Sequence, residues 1–310
     1  MAAQRKKVTG RKKVIPVLAI ASAVCAAMIG AGILAGLHQV PSPITHDAVI
    51  SAKTLGPRAV SVPGPVHPLD NNASAGRIVF TFDDGPDVYT QALLRELKAL
   101  RLRAVFFVFG WKAEAYRQVI REELADGDLV ENHTWDHPSF TGASTDTPPL
   151  SGPKIRVELL AGDRAVVAAG APEPRLYRPP FGDINATDNK IAASIGLRLV
   201  EPFSVTPTGT PIDSRDWTGI SAAQIVRDVT LGYYVGGRYV PGIHGGSVIG
   251  FHDSAPASVC SPEQQLCNDV INTIRSLPGI VAFMNRHHLG VTTDVAANAT
   301  GGTVPNIPVK

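Results

Sequence analysis

Five short segments carry side chains whose types and spacing suit chemistry on a polar substrate. Thr81-Phe82-Asp83-Asp84-Gly85-Pro86 sets two carboxylates side by side before a turn-forming Gly-Pro. Such a pair can divide labour, one acid holding a metal ion and the other staying free as a base. His133-Thr134-Trp135-Asp136-His137 offers two imidazoles four residues apart. On a helical turn they would face the same way and bind one ion. An aspartate such as Asp84 would bring the protein ligands to three, leaving the open position that a catalytic metal needs for water. In Arg178-Pro179-Pro180-Phe181 the prolines would fix the backbone so that the Phe181 N–H points at a developing oxyanion. Asp213-Ser214-Arg215-Asp216-Trp217 adds two acids and an aromatic ring, and Gly250-Phe251-His252-Asp253 ends on an imidazole. Taken singly, each has a plainer reading: a solvated turn, two surface histidines, a rigid turn with a surface arginine, a packed histidine.

The elements around these segments decide between the two readings. Residues 77–82 (RIVFTF) and 103–109 (RAVFFVF) are β-branched and aromatic, as buried parallel strands are. Between them Leu93, Leu94, Leu97 and Leu100 recur at helical spacing. Helices are expected over 91–100, 111–125, 155–169, 221–229 and 269–277, and short strands over 128–131, 176–178, 197–200 and 247–251. This alternation predicts an α/β fold with a parallel sheet, and about 220 residues from 76 to 296 suit one barrel better than two domains. Each of the five segments falls at a strand end, where barrel enzymes place catalytic groups.

Charge and hydropathy place the domain. Residues 1–13 hold six of the 29 basic side chains and no acid, so the remainder carries 23 basic against 27 acidic groups. A body of that sign has no electrostatic footprint for nucleic acid. Val14 to Leu37 is 24 residues without a charge, long enough as a helix to cross a hydrocarbon core of about 30 Å. The one-sided positive flank would keep residues 1–13 cytoplasmic and send the rest outward. The expectation is an uncleaved signal-anchor, a single-pass membrane protein with an external domain. The alternative is a cleaved signal peptide and a secreted product. Residues 38–75 contain six prolines and read as a tether; residues 297–310 read as a flexible tail. In an oxidising compartment Cys260 and Cys267 would close a small disulfide loop, with two free thiols as the alternative. No protein partner is evident in the sequence.

Taken together and in order, the segments resemble the polysaccharide deacetylases, also called carbohydrate esterase family 4 or the chitooligosaccharide deacetylase homology domain. The family's five motifs read TFDDG, H-S/T-x-x-H, R-x-P-F/Y, D-x-x-D-W and a final L-x-H. This chain carries TFDDG at 81–85, HTWDH at 133–137, RPPF at 178–181 and DSRDW at 213–217; the last motif has Gly250 where leucine is usual. The resemblance spans about residues 76–291. It implies a distorted, incomplete (β/α) barrel and a divalent metal, zinc or else cobalt or another divalent ion, on Asp84, His133 and His137. It further implies that Asp83 takes a proton from the attacking water, that the Phe181 N–H stabilises the oxyanion, and that His252 protonates the leaving amine. Arg178 would hold Asp83 ionised, and Asp213 would orient His252 and keep it protonated. Trp217, with Phe181 and Pro179, would line the sugar or acetyl site.

The expected activity is removal of N-acetyl groups from an extracellular N-acetylglucosamine polymer, peptidoglycan or a chitin-like oligosaccharide. The alternative is an O-acetyl esterase acting on xylan or another glycan. A catalytically dead, carbohydrate-binding domain would be expected to have lost a ligand or the base, and none is missing. Loops 138–153 and 231–246, the latter tyrosine-rich, either wall the groove and stack on sugar rings or are ordinary glycine-rich connections.

Overall fold

The strand β1 (Arg77–Asp83) is buried from its second residue onward. A computed structural model describes residues 76–200, 212–254 and 268–295. The expected anchor 14–37, the tether 38–75, the tail and the pair Cys260 and Cys267 lie outside the described residues. Among the described residues no helix is long and apolar enough to cross a membrane. From β1 the chain continues through α1 (Thr90–Ala99), β2 (Ala104–Val108), α2 (Gly110–Ala115), α3 (Arg117–Asp126) and β3 (Leu129–Asn132). It then forms α4 (Gly152–Ala169), β4 (Leu176–Tyr177), α5 (Ala186–Ser194), β5 (Arg198–Leu199) and α6 (Ala222–Leu231). A hairpin β6 (Tyr233–Val235) and β7 (Arg238–Val240) precedes β8 (Val248–His252), α7 (Asn268–Arg286) and β9 (Gly290–Val291).

Six strands hydrogen-bond in the order β5-β4-β3-β2-β1-β8, with β9 paired to the start of β1, and every pairing is parallel. The sheet curls without closing, so the expected incomplete barrel is the observed architecture. Parallel strands covered on both faces need apolar residues at every position, and that is why 77–82 and 104–108 show no alternation. Ile78, Phe80 and Phe82 pack with Phe106, Phe251 and the helices, whereas Val79 packs inside the curl with Val105, Phe107 and Val248. Each buried phenylalanine contributes about 1.5–3 kcal/mol.

Three elements differ from expectation. The helix expected over 111–125 is two helices, broken at Tyr116 (φ −117°, ψ 39°). The break lets α2 bury Lys112 and Ala113 while α3 turns Val119 and Ile120 to the core. Helix α7 runs through Pro278 instead of stopping before it, because Leu277, Ile280 and Met284 are all buried on its core face. A Cβ on Gly279 would lie 2.8 Å from the Val226 side chain, so glycine there allows the close α6–α7 approach. The loop 231–246 contains the β6–β7 hairpin, which turns on Gly236 and Gly237, both at positive φ.

Candidate active site

Register assembles the site. Along β1, residues 79, 81 and 83 face into the curl, and the β1–β8 pairing sets Asp83 beside His252 on the neighbouring strand. Asn132 pairs with Tyr177, so the residues that follow β3 and β4, His133 and Arg178, lie side by side. All these positions are at the C-terminal edge of one parallel sheet, so groups far apart in sequence converge there.

Three potential ligands meet at this edge. Oδ1 of Asp84 lies 3.3 Å from Nε2 of His133 and 3.5 Å from Nε2 of His137, and one donor atom from each residue falls within 4.8 Å of the others. His133 Nδ1 is 2.8 Å from the carbonyl oxygen of Arg178; an N–H there leaves the Nε2 lone pair free for a metal. Burial pushes the His137 pKa down to about 3, with the neighbouring His133 adding to the shift, so its imidazole is neutral. Burial raises the Asp84 carboxyl, but the His133 hydrogen bond and the charges of His252, His137 and His133 outweigh it and hold the group well below the usual range. One carboxylate oxygen and two imidazole nitrogens suit a borderline divalent ion, so the residues present fit the implied metal.

The two histidines do not converge on a helical turn as expected. Residues 133–137 form a loop in which Thr134 (φ 71°) and His137 (φ 66°) adopt left-handed backbone. Two groups that the sequence did not single out clamp it. Asn132 accepts the Thr134 N–H at 2.6 Å while its own amide donates to Asp163 and to the Leu159 carbonyl. Glu158 on α4 accepts the N–H groups of Trp135 and Asp136. Glu158 carries no sequence signal, because only the packing of α4 against β3 brings it to the loop, whereas the Asn132–Thr134 bond is a local Asx turn that packing merely reinforces through Leu159 and Asp163.

Arg178, 1% exposed, donates from Nη1 to Asp83 Oδ1 at 2.6 Å and to Thr81 Oγ1 at 2.8 Å, and its guanidinium lies 4.3 Å from the Phe107 ring. The predicted Arg178–Asp83 pair is therefore present and buried. After it, Pro179 is extended (φ −72°, ψ 139°) and Phe181 sits at φ 60°, ψ 5° in a single 3-10 turn. The Phe181 ring is 51% exposed and 4.4 Å from that of His137, beside the triad. Asp183 accepts from Ser139 and Ser144 and so ties loop 138–153 to this turn.

One assignment changes. His252 is held by Asp216, not by Asp213: its Nδ1 lies 2.8 Å from Asp216 Oδ1, and its backbone N–H donates to Oδ2. Asp213 forms a bridge with Gly250 and accepts from the Arg215 N–H and from Trp217 Nε1. Burial raises its pKa, partly offset by those donors and by His252. The left-handed Arg215 (φ 59°) reverses the chain between the two acids, so only the second reaches the histidine. Asp213 thereby positions Trp217, whose ring is 60% exposed at the rim.

The polysaccharide deacetylase profile matches residues 70–200. A Bradyrhizobium protein named chitooligosaccharide deacetylase is 29% identical over 219 residues, 67% of this chain and 84% of that protein. A Bacillus cereus peptidoglycan-N-acetylglucosamine deacetylase is 28% identical over 153 residues, and the match spans 49% of this chain and half the length of that relative. The family 4 carbohydrate esterase from Streptomyces lividans, solved with acetate, superposes with a TM-score of 0.53 at 30% identity, covering 69% of this chain and 90% of that one. Matched by family profile, sequence and fold, this chain belongs to the polysaccharide deacetylases, carbohydrate esterase family 4.

Proposed function

We propose that this domain hydrolyses N-acetyl groups on a polymer of N-acetylglucosamine, with peptidoglycan as the favoured substrate. The observation that carries this reading is the juxtaposition of the Asp84–His133–His137 triad with the Arg178-bound Asp83 and the Asp216-bound His252 at one sheet edge. A divalent ion on the triad, zinc by its donor set, would supply Lewis acidity to the acetyl carbonyl and to water. Asp83, oriented by Arg178, takes a proton from the attacking water. The Phe181 N–H donates to the oxyanion that forms on the carbonyl carbon. His252 then delivers its proton to the amine nitrogen as the C–N bond breaks, leaving acetate and a free amine. An amide needs that proton more than an ester does, because an amine leaves only when protonated, and a histidine held charged by Asp216 favours the amide reading. The named activities of the Bacillus cereus and Bradyrhizobium relatives point the same way.

The test is acetate release from N-acetylglucosamine oligomers and from purified cell wall, run against acetylated xylan. Deacetylated muropeptides identified by mass would support the reading; release from xylan alone would replace it with the O-acetyl esterase.

The uncharged stretch 14–37 behind six cations supports a membrane-anchored, external domain. Recovery of the protein in the membrane fraction at uncleaved mass would agree with this, and a mature form in the medium starting near residues 36–42 would refute it.

A further inference from the structure

The mechanism leaves one buried cation without a duty. Lys112, in the first turn of α2, is 5% exposed. Its Nζ donates to the backbone carbonyl of Asp84 at 2.7 Å and to the hydroxyl of Ser254. Among the described residues it forms no ion pair; the rings of Phe109 and Trp111 flank the charge at 4.9 and 5.5 Å. A buried ammonium is unfavourable unless hydrogen-bonded, so its two acceptors matter to the fold. They also stand at chosen places. Lys112 follows the end of β2, Asp84 follows β1 with its backbone at φ 75°, and Ser254 lies two residues past His252 on β8. Left-handed backbone is disfavoured for a non-glycine residue, and the carbonyl that Lys112 grips belongs to that residue.

We propose that Lys112 is a positioning residue of the metal centre. By bonding the Asp84 carbonyl it holds the backbone that aims the Asp84 carboxylate at His133 and His137. By bonding Ser254 it sets that ligand against the strand end that carries His252. This rests on the reading of the triad as a metal site. Two effects of the ammonium oppose each other, and their signs differ. Its charge repels a dication, so electrostatics alone would make its removal tighten metal binding. Its hydrogen bond orients a ligand, so its removal leaves a buried carbonyl unpaired and frees Asp84 to relax away from the histidines, which weakens binding.

The experiment measures zinc affinity by competition with a chromophoric chelator, alongside kcat and KM on chitooligosaccharide, for the wild type, Lys112→Met, Ser254→Ala and His137→Ala. Lys112→Met, uncharged and of similar length, is expected to bind zinc about 10–100-fold more weakly, the usual effect of losing a group that orients a metal ligand. Ser254→Ala keeps the cation and its bond to Asp84, so its zinc affinity is expected within about twofold of wild type while kcat falls at unchanged KM. Unchanged or tighter zinc binding in Lys112→Met overturns the proposal. If that variant does not fold, a normal kcat in Ser254→Ala overturns it instead. A wild type that binds zinc no better than His137→Ala would overturn the metal reading itself, a result distinct from either.

Discussion

His252 and Asp216 are joined twice: the imidazole Nδ1 and the backbone N–H of the histidine each lie 2.8 Å from a different oxygen of the one carboxylate. Thr273 donates to the same carboxylate, which is 1% exposed and so fixed in place. Burial would lower the His252 pKa, but the charge and hydrogen bond of Asp216, with Asp84 and Asp83 beyond, push it up to about 10. The stability this pair adds is full below the unfolded value of about 6.5 and is lost as pH rises through the folded one. A dication held at Asp84 would offset part of that upward push and draw the alkaline limb lower. Asp216→Asn is expected to move the alkaline limb of kcat/KM to lower pH by about 1–3 units, the usual effect of an adjacent opposite charge. Asp213→Asn should move it less. A pH profile in which Asp213→Asn gives the larger displacement would restore the assignment expected from sequence.

Chelation should abolish acetate release, and added zinc or cobalt should restore it, with close to one ion per chain by elemental analysis. His137→Ala is expected to lose both metal and activity. His252→Ala should keep the metal and lose about 10²–10⁴ in turnover, the usual worth of a general acid. Activity that survives exhaustive dialysis against chelator would refute the metal mechanism.

Arg178 and Asp83 are both buried, 1% and 5% exposed, and bonded at 2.6 Å. Arg178→Met leaves a buried carboxylate without its cation, and breaking such a pair costs about 3–5 kcal/mol of stability. Urea unfolding should show that loss together with a fall in kcat. A variant as stable as wild type would mean that the pair is balanced by other groups.

Glu123 on α3 is fully buried, and neither carboxylate oxygen has a hydrogen-bond partner among the described residues. Burial, then the charges of Asp253, Asp128 and Glu122, raise its pKa well above the ordinary value. Its neutral form belongs to the fold, so the stability it allows at acid pH declines as pH rises above its unfolded value of about 4.5. Glu123→Met is therefore expected to stabilise by about 1–3 kcal/mol, the penalty of an unsatisfied buried polar group. Thermal melts should show a larger gain at pH 8 than at pH 4, and a destabilised variant would assign Glu123 a partner.

What the sequence determined by itself is local. The apolar runs of β1 and β2, the leucine spacing of α1 and the Gly-Pro punctuation after Asp84 are written in neighbouring residues, and they were enough to place the acids and histidines at strand ends. The parallel sheet was legible for that reason, whereas the full triad and the Arg178–Asp83 pair were legible only through the resemblance of the five segments to the family's motifs. Tertiary structure alone decided which acid of Asp213-Ser214-Arg215-Asp216 meets His252, because the left-handed turn at Arg215 and the bridge to Gly250 set their directions. It alone brought His133 and His137 together through a loop held by Asn132 and Glu158, where spacing had suggested a helical turn. It carried α7 through Pro278, because buried contacts on both sides of the proline outweighed its local preference. And it placed Lys112 beneath Asp84, 28 residues away in sequence and 2.7 Å away in space. Hydrophobic periodicity is a short-range signal and survives in the sequence; a hydrogen bond between remote residues exists only once the strands that carry them are in register.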